Sequence, residues 1–232
     1  MATPEESKPA DADIDTQKQL DYWNSVDATP NGMLGGFEHI SRVDIQGSKN
    51  FLAKLQLDRT PPLRIADCGA GIGRISKGFL TKINNTVVVD IVEPVKKFTD
   101  EISNPGNFKE EKAAGKIGEI YNVGLESWTP EKKAYWMIWN QWCVGHLTDS
   151  SLVEYLRRCA DGIRDGGVIV VKENISNCPD DVFDELDSSV TRTDQKFRTL
   201  FKDAGLKIIK TEVQRGMPSS LFQVRSYALR PV

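Results

Sequence analysis

Apolar residues fall in short continuous runs separated by stretches with helical spacing. Runs at 63–67, 86–92, 117–123, 134–142 and 168–172 read as strands buried on both faces. Between them, residues 75–83, 94–102 and about 149–159 carry apolar positions at helical intervals. Strand alternating with helix predicts a parallel sheet with right-handed crossovers. The end of the chain differs. Residues 193–204 read as a helix closed by Gly205, and 206–213 and 221–229 as two strands joined by a Gly/Pro/Ser loop, an antiparallel hairpin. The front is helical. Residues 1–15 are polar and acidic and are expected to be a disordered tail. Asp15 or Thr16 caps a helix to about Val26, a Gly-rich loop with apolar Met33, Leu34 and Phe37 follows, and 38–57 is helical again. That loop is either packed on the body or a lid over a ligand. The expected organisation is tail 1–15, helical extension and lid loop 16–60, and sheet domain 61–232.

The first strand ends in Asp67-Cys-Gly-Ala-Gly-Ile-Gly-Arg74, a glycine turn opening a helix. A dinucleotide fingerprint wants its third glycine three positions after the second. Here Gly73 follows Gly71 by two, and Arg74 comes next. A cation there suits a carboxylate, Asp67 suits an ammonium, and Asp90, closing the second strand with Ile91 and Val92 behind it, suits ribose hydroxyls. S-adenosylmethionine carries all three groups. Composition narrows the partners. With 232 residues, net charge −3 and a pI near 5.6, the chain lacks the basic face that direct nucleic-acid binding needs. It has no apolar run long enough to span a membrane and no N-terminal signal pattern. Four cysteines without a C-x-x-C pair and two separated histidines suggest reduced thiols and no metal.

Ligands in such sheets sit beyond the carboxyl ends of the strands. Gly124-Leu125, Asn140-Gln141-Trp142 and Glu173-Asn174 occupy such ends. Gly124-Leu125 is an ordinary turn or an adenine platform, and His146 a surface histidine or a functional one. The acidic run 179–190 reads as a helix: Pro179 suits its first position, and Asp184 and Asp187 share a face. Two carboxylates beside the cofactor attract a cationic substrate. Methyl transfer requires a free lone pair aligned behind the methyl. An α-amine near pKa 7.8 is roughly a tenth neutral at pH 7, and a lysine near 10.4 only about four parts in ten thousand. A protein N-terminus therefore needs one modest base, for which Asp187 and His146 are the candidates.

Tyr22-Trp23, Asn31-Gly-Met-Leu-Gly-Gly36, His39-Ile-Ser41, the glycine turn, Gln141-Trp142, Gly145-His-Leu-Thr-Asp149, Leu156-Arg-Arg-Cys159, Lys172-Glu-Asn174, Asp187-Ser-Ser-Val190 and Ser226-Tyr-Ala-Leu-Arg230 together resemble the protein α-N-terminal methyltransferases over about residues 20–230. The resemblance implies a Rossmann-like class I fold, with a seven-stranded, mostly parallel sheet and an antiparallel last strand. It implies S-adenosylmethionine as cofactor and free α-amines of Xaa-Pro-Lys or Xaa-Pro-Arg proteins, ribosomal proteins among them, as substrates. The expected location is the cytoplasm, and the nucleus with it. By position, Gly69, Arg74, Asp90, Ile91, Val92, Gly124, Leu125 and Gln141 would contact the cofactor, with Trp23 near it. Leu34 and Tyr22 would wall the peptide channel, Trp142 would pack on the substrate proline and Asn174 would hold the first residue's backbone. Asp187 with His146 would receive the amine proton, and Asp184 and Ser189 would bind the third residue's cation. Ser220 and Phe222 depart from the family's Glu and Tyr. The competing readings are a lysine or small-molecule methyltransferase and a binding module without turnover.

Overall fold

Asp15 accepts hydrogen bonds from the backbone N–H groups of Gln17 and Lys18, and this cap starts α1 (Thr16–Ser25). The computed structural model describes residues 8–60 and 62–232. Residues 1–7 of the expected disordered tail lie outside the described ones, and the rest of that segment is ordered. Ala10–Asp13 form a 3-10 turn, and Asp11 Oδ2 accepts the N–H of Asp149 at 2.8 Å. The glycine-rich loop contains a one-turn helix, α2 (Pro30–Met33), capped by Thr29 and opened by Pro30. α3 (Ser41–Ala53) completes the extension.

The body follows as β1 (Leu63–Cys68), α4 (Arg74–Gly78), β2 (Thr86–Val92), α5 (Lys96–Ser103), α6 (Lys109–Ala113), β3 (Ile117–Tyr121), β4 (Tyr135–Gln141), α7 (Asp149–Gly162) and β5 (Ile163–Ile175). Then come β6 (Val182–Asp184), β7 (Ser189–Thr191), α8 (Asp194–Asp203), β8 (Leu206–Val213) and β9 (Gln223–Pro231). The main sheet has the order β3-β2-β1-β4-β5-β9-β8. β9 runs antiparallel to both neighbours and is the one reversed strand. The order reverses direction between β1 and β4, so a crevice opens above their carboxyl ends. β4 is buried at all seven positions, as its unbroken apolar run requires.

Two apolar layers flank the sheet. One joins Ile138, Tyr155, Leu156, Phe197, Phe201 and Tyr227. The other joins Phe51, Leu52, Phe79, Trp136 and Trp139, and so fastens α3 of the extension to the sheet domain.

Three expectations change. The helix expected over 75–83 stops at Gly78 and continues as a 3-10 turn, Leu80–Lys82. β5, expected from 168, begins at Ile163, and Asp165-Gly-Gly167 is absorbed as a register break beside β4. The third is the acidic run 179–190. It is a hairpin, with β6 and β7 paired from Val182–Thr191 to Asp184–Ser189. Val182, Val190 and Thr191 favour strand, and the Asp184 carboxylate turns the chain by accepting the N–H of Leu186. Leu186, which a helix would have buried in its stripe, is 67% exposed.

Candidate active site

The glycine turn lies at the reversal point. Gly69 and Gly71 have φ of 65° and 54°. A Cβ on Gly69 would strike Cys143, and one on Gly71 would come within 2.7 Å of the Met33 sulfur. The backbone thus forms a cradle that side chains would fill. The Val92 carbonyl accepts the N–H groups of Gly69 and Ala70, and the Glu93 carboxylate that of Gly71 at 2.8 Å. Above the turn opens a cavity of about 580 Å³, a size that suits a nucleoside-bearing ligand with part of a second molecule.

Arg74 reaches this cavity from α4, and its guanidinium is held from behind. Asp44 of α3, fully buried, accepts from Arg74 Nη1 at 2.7 Å, from Gln141 Nε2 at 2.9 Å and from Lys172 Nζ at 2.5 Å. Lys172, also fully buried, donates as well to Ser48 Oγ. Burial works to raise the Asp44 carboxyl pKa, but Lys172 and Arg74 together outweigh it and hold it below the ordinary range. The Lys172 carbonyl accepts the N–H of Trp142, which sits at φ 54°, rare for a bulky residue. That conformation points the strand terminus into the cavity, and the Trp142 indole nitrogen is buried with no partner among the described residues.

Opposite stands a second group. The 3-10 turn Val144–His146 follows β4, and Arg192 of the hairpin region ties the two together by donating to the carbonyls of Val144 and Leu147. His146 Nε2 accepts from the Trp23 indole at 3.1 Å. Among the described residues, His146 Nδ1 and Asp187 Oδ1 are both shut off from solvent and unpartnered, and both residues line the cavity. Burial lowers the His146 pKa, against the opposing pull of Asp187.

Burial raises three carboxyls around the site: Asp67 to about 6, Glu93 to about 7 and Glu173 to about 7. Backbone N–H groups on Glu93 and Glu173, and the Ser76 hydroxyl on Asp67, recover only part of the lost hydration. Their folded pKa values lie above the unfolded ones near 4. Each therefore favours folding fully below about pH 4 and loses that contribution as pH rises through about 6 to 7. His146 and Lys172, both lowered by burial, work the other way, two groups against three. The ligand-free protein should accordingly melt at a higher temperature at pH 5.5 than at pH 8, and Glu173→Gln should flatten that slope in thermal melts.

Of the residues expected at the site, the structure brings Trp23, Leu34, Gly69, Arg74, Gly124, Leu125, Gln141, Trp142, His146, Asn174, Asp187 and Ser189 to one cavity. It does not bring Asp90 there. That carboxylate lies within β2, where it accepts from Arg64, the Tyr135 hydroxyl and the N–H of Glu119. Ile91 and Val92 are buried in the sheet. Glu93, three residues on and just past the end of β2, is the acid of this strand end that lines the cavity. Tyr22 is half-buried outside the wall, close enough to Asp187 and Asp184 that, after burial, they raise its hydroxyl pKa. Asp184 is exposed, across the hairpin ladder from Ser189. Asp44 and Gln19 were not expected: their partners are far away in the chain, and no local pattern marks them. Met217 and Phe222 of the β8–β9 loop also reach the cavity. Among the described residues, no group of three His, Cys, Asp or Glu side chains could hold a metal, and no helix is long and apolar enough to cross a membrane.

The reversed β9, the glycine cradle and the strand-end cavity define a class I S-adenosylmethionine-dependent methyltransferase. The profile of a family described as AdoMet dependent proline di-methyltransferase matches residues 11–230, and the chain belongs to that family. It is 46% identical over 216 residues to alpha N-terminal protein methyltransferase 1 of Schizosaccharomyces pombe, covering 91% of this chain and 94% of that protein. It is 38% identical to N-terminal Xaa-Pro-Lys N-methyltransferase 1 of Xenopus tropicalis, covering 92% and 94%. A solved SAM-dependent methyltransferase from Leishmania major superposes with a TM-score of 0.83 at 37% identity, covering 92% of this chain and 82% of that one.

Proposed function

We propose that this enzyme methylates the free α-amine of proteins that begin Xaa-Pro-Lys or Xaa-Pro-Arg. The observation that carries the reading is the buried, unpartnered Asp187 oxygen, which shares a cavity with the glycine cradle. An unpaired buried acceptor needs a donor from a ligand, and an ammonium supplies one. When bound, S-adenosylmethionine supplies an electrophilic methyl carbon on sulfur. Asp187 receives the proton that frees the amine lone pair. Asn174, at the end of β5, presents its amide to the first residue's backbone, and the Trp142 ring offers a flat apolar face for proline. Asp184, exposed and paired across the ladder with Ser189, gives the third residue's cation a carboxylate near the mouth. Repeated transfer needs only that the product amine lose another proton. The relatives' names state the same substrate class. Ribosomal proteins that mature to such an end are substrates we would test first.

Mass spectrometry of Ser-Pro-Lys peptides tests the reading. The free peptide should gain methyl groups in steps of one at its first residue, and the N-acetylated peptide none. Methyl groups on the acetylated peptide would place the reaction on lysine and end the proposal.

A further inference from the structure

α1 touches the proton-handling groups at three points. Gln19, 7% exposed, donates through one amide nitrogen to the His146 carbonyl at 3.0 Å and to the Ser188 carbonyl at 2.8 Å. One side chain thus spans the backbones of His146 and of the residue next to Asp187. One turn on, at the i+4 position of the same helix face, Trp23 donates its indole N–H to His146 Nε2. At the helix entrance, the Asp15 N–H donates to Ser188 Oγ at 2.8 Å. Ser188 is fully buried with φ 54°, a conformation that its neighbours must enforce.

The Trp23 bond has a chemical consequence. An indole nitrogen only donates, so Nε2 must present a lone pair. In a neutral imidazole the single proton then lies on Nδ1. Such a ring has no lone pair left for an incoming proton. Its Nδ1–H lies in the same cavity as the unpartnered Asp187 oxygen. The charged groups around the ring are few. Asp187 faces it from the hairpin turn, Arg192 grips the neighbouring carbonyls, and Asp149 and Lys196 pair behind Arg192. From α1 the contacts to the ring and its carbonyl come from neutral side chains.

We infer that α1 is a positioning element: Trp23 fixes His146 as the Nδ1–H tautomer, and Gln19 holds the His146 and Ser188 backbones in place, so that Asp187 and not the ring accepts the amine proton. His146 then presents an N–H to the cavity and is not a second base. The inference rests on the α-amine reading for the proton's source, but the tautomer does not depend on the substrate.

Long-range proton–nitrogen NMR of the full-length protein reads the tautomer directly, with His146→Asn assigning one of only two histidines. At pH 7.5 the ring should show a protonated Nδ1 and a bare Nε2. Trp23→Phe, which keeps an aromatic ring and removes the donor, should shift the ring toward Nε2–H and free Nδ1 to accept. Gln19→Leu should leave the tautomer unchanged and lower kcat on a Ser-Pro-Lys peptide by about tenfold, within the range that sub-ångström misplacement causes. Its Kd for S-adenosylhomocysteine should stay at the wild-type value, since Gln19 bonds only the His146 and Ser188 carbonyls. A wild-type ring protonated at Nε2, or a tautomer indifferent to Trp23→Phe, overturns the inference. The expected tautomer in an enzyme inactive on Xaa-Pro-Lys peptides would overturn the α-amine reading alone.

Discussion

Asp187→Asn should lower kcat on a Ser-Pro-Lys peptide by about two to four orders of magnitude, the range that loss of a positioned acid–base group produces. Folding should be spared. Asp187 takes part in no ion pair among the described residues, and its inward oxygen has no partner to lose. Melting temperature and affinity for S-adenosylhomocysteine should therefore match wild type. Alkaline pH separates two parts of the defect. With an amine pKa near 7.8, raising pH from 7 to 9 increases the neutral fraction by only about sevenfold. If the carboxylate merely removed a proton in bulk equilibrium, pH 9 would recover most of a tenfold defect. A deficit of a hundredfold or more that recovers only about sevenfold means that Asp187 also holds the amine in line. Single-turnover rates by mass spectrometry at both pH values decide this. An Asp187→Asn enzyme as fast as wild type at pH 7 would remove Asp187 from the chemistry.

What the sequence made legible was local. The strand runs, the Asp67–Arg74 turn and the Asp15 helix cap depend on neighbours within a few positions. Strand ends are visible in the sequence, so Gln141, Trp142 and Asn174 stand out there. Side-chain direction was less visible. Asp90 and Glu93 are three residues apart, and only the pleat and the competing partners Arg64 and Tyr135 decide that the second acid reaches the cavity. Pro179 and the acids that follow it imitate a helix start and hide the hairpin at 182–191. Its β-branched residues favour strand, and Arg192 ties it to the 144–147 turn, a contact that no local pattern marks. The contacts of the extension were invisible, since Gln19 meets residues 127 and 169 positions away and Asp44 meets Lys172 at a separation of 128.

Asp44 carries the second large effect. Asp44→Ala removes the anion facing Lys172, which is fully buried. An uncompensated buried charge typically costs about 3–5 kcal/mol, so chemical denaturation should show a loss of that order. The same substitution frees the Arg74 guanidinium and the Gln141 amide, both directed at the cavity. Affinity for S-adenosylhomocysteine should fall as well, by tenfold or more if one charge-assisted contact of about 1.5–3 kcal/mol is lost. A double variant distinguishes the two losses. Asp44→Leu with Lys172→Met replaces the buried pair by apolar groups of similar size, which is often neutral or stabilising. It should recover stability, yet Arg74 and Gln141 still lack the acceptor that orients them, so cofactor affinity should stay low. Recovery of both would reduce Asp44 to a neutraliser of Lys172. Recovery of stability alone makes α3 the part of the extension that aims Arg74, as α1 is the part that orders the proton acceptor. The helices ahead of the first strand then serve both reacting partners, and removing them would disable the cavity even though the sheet supplies the glycine turn.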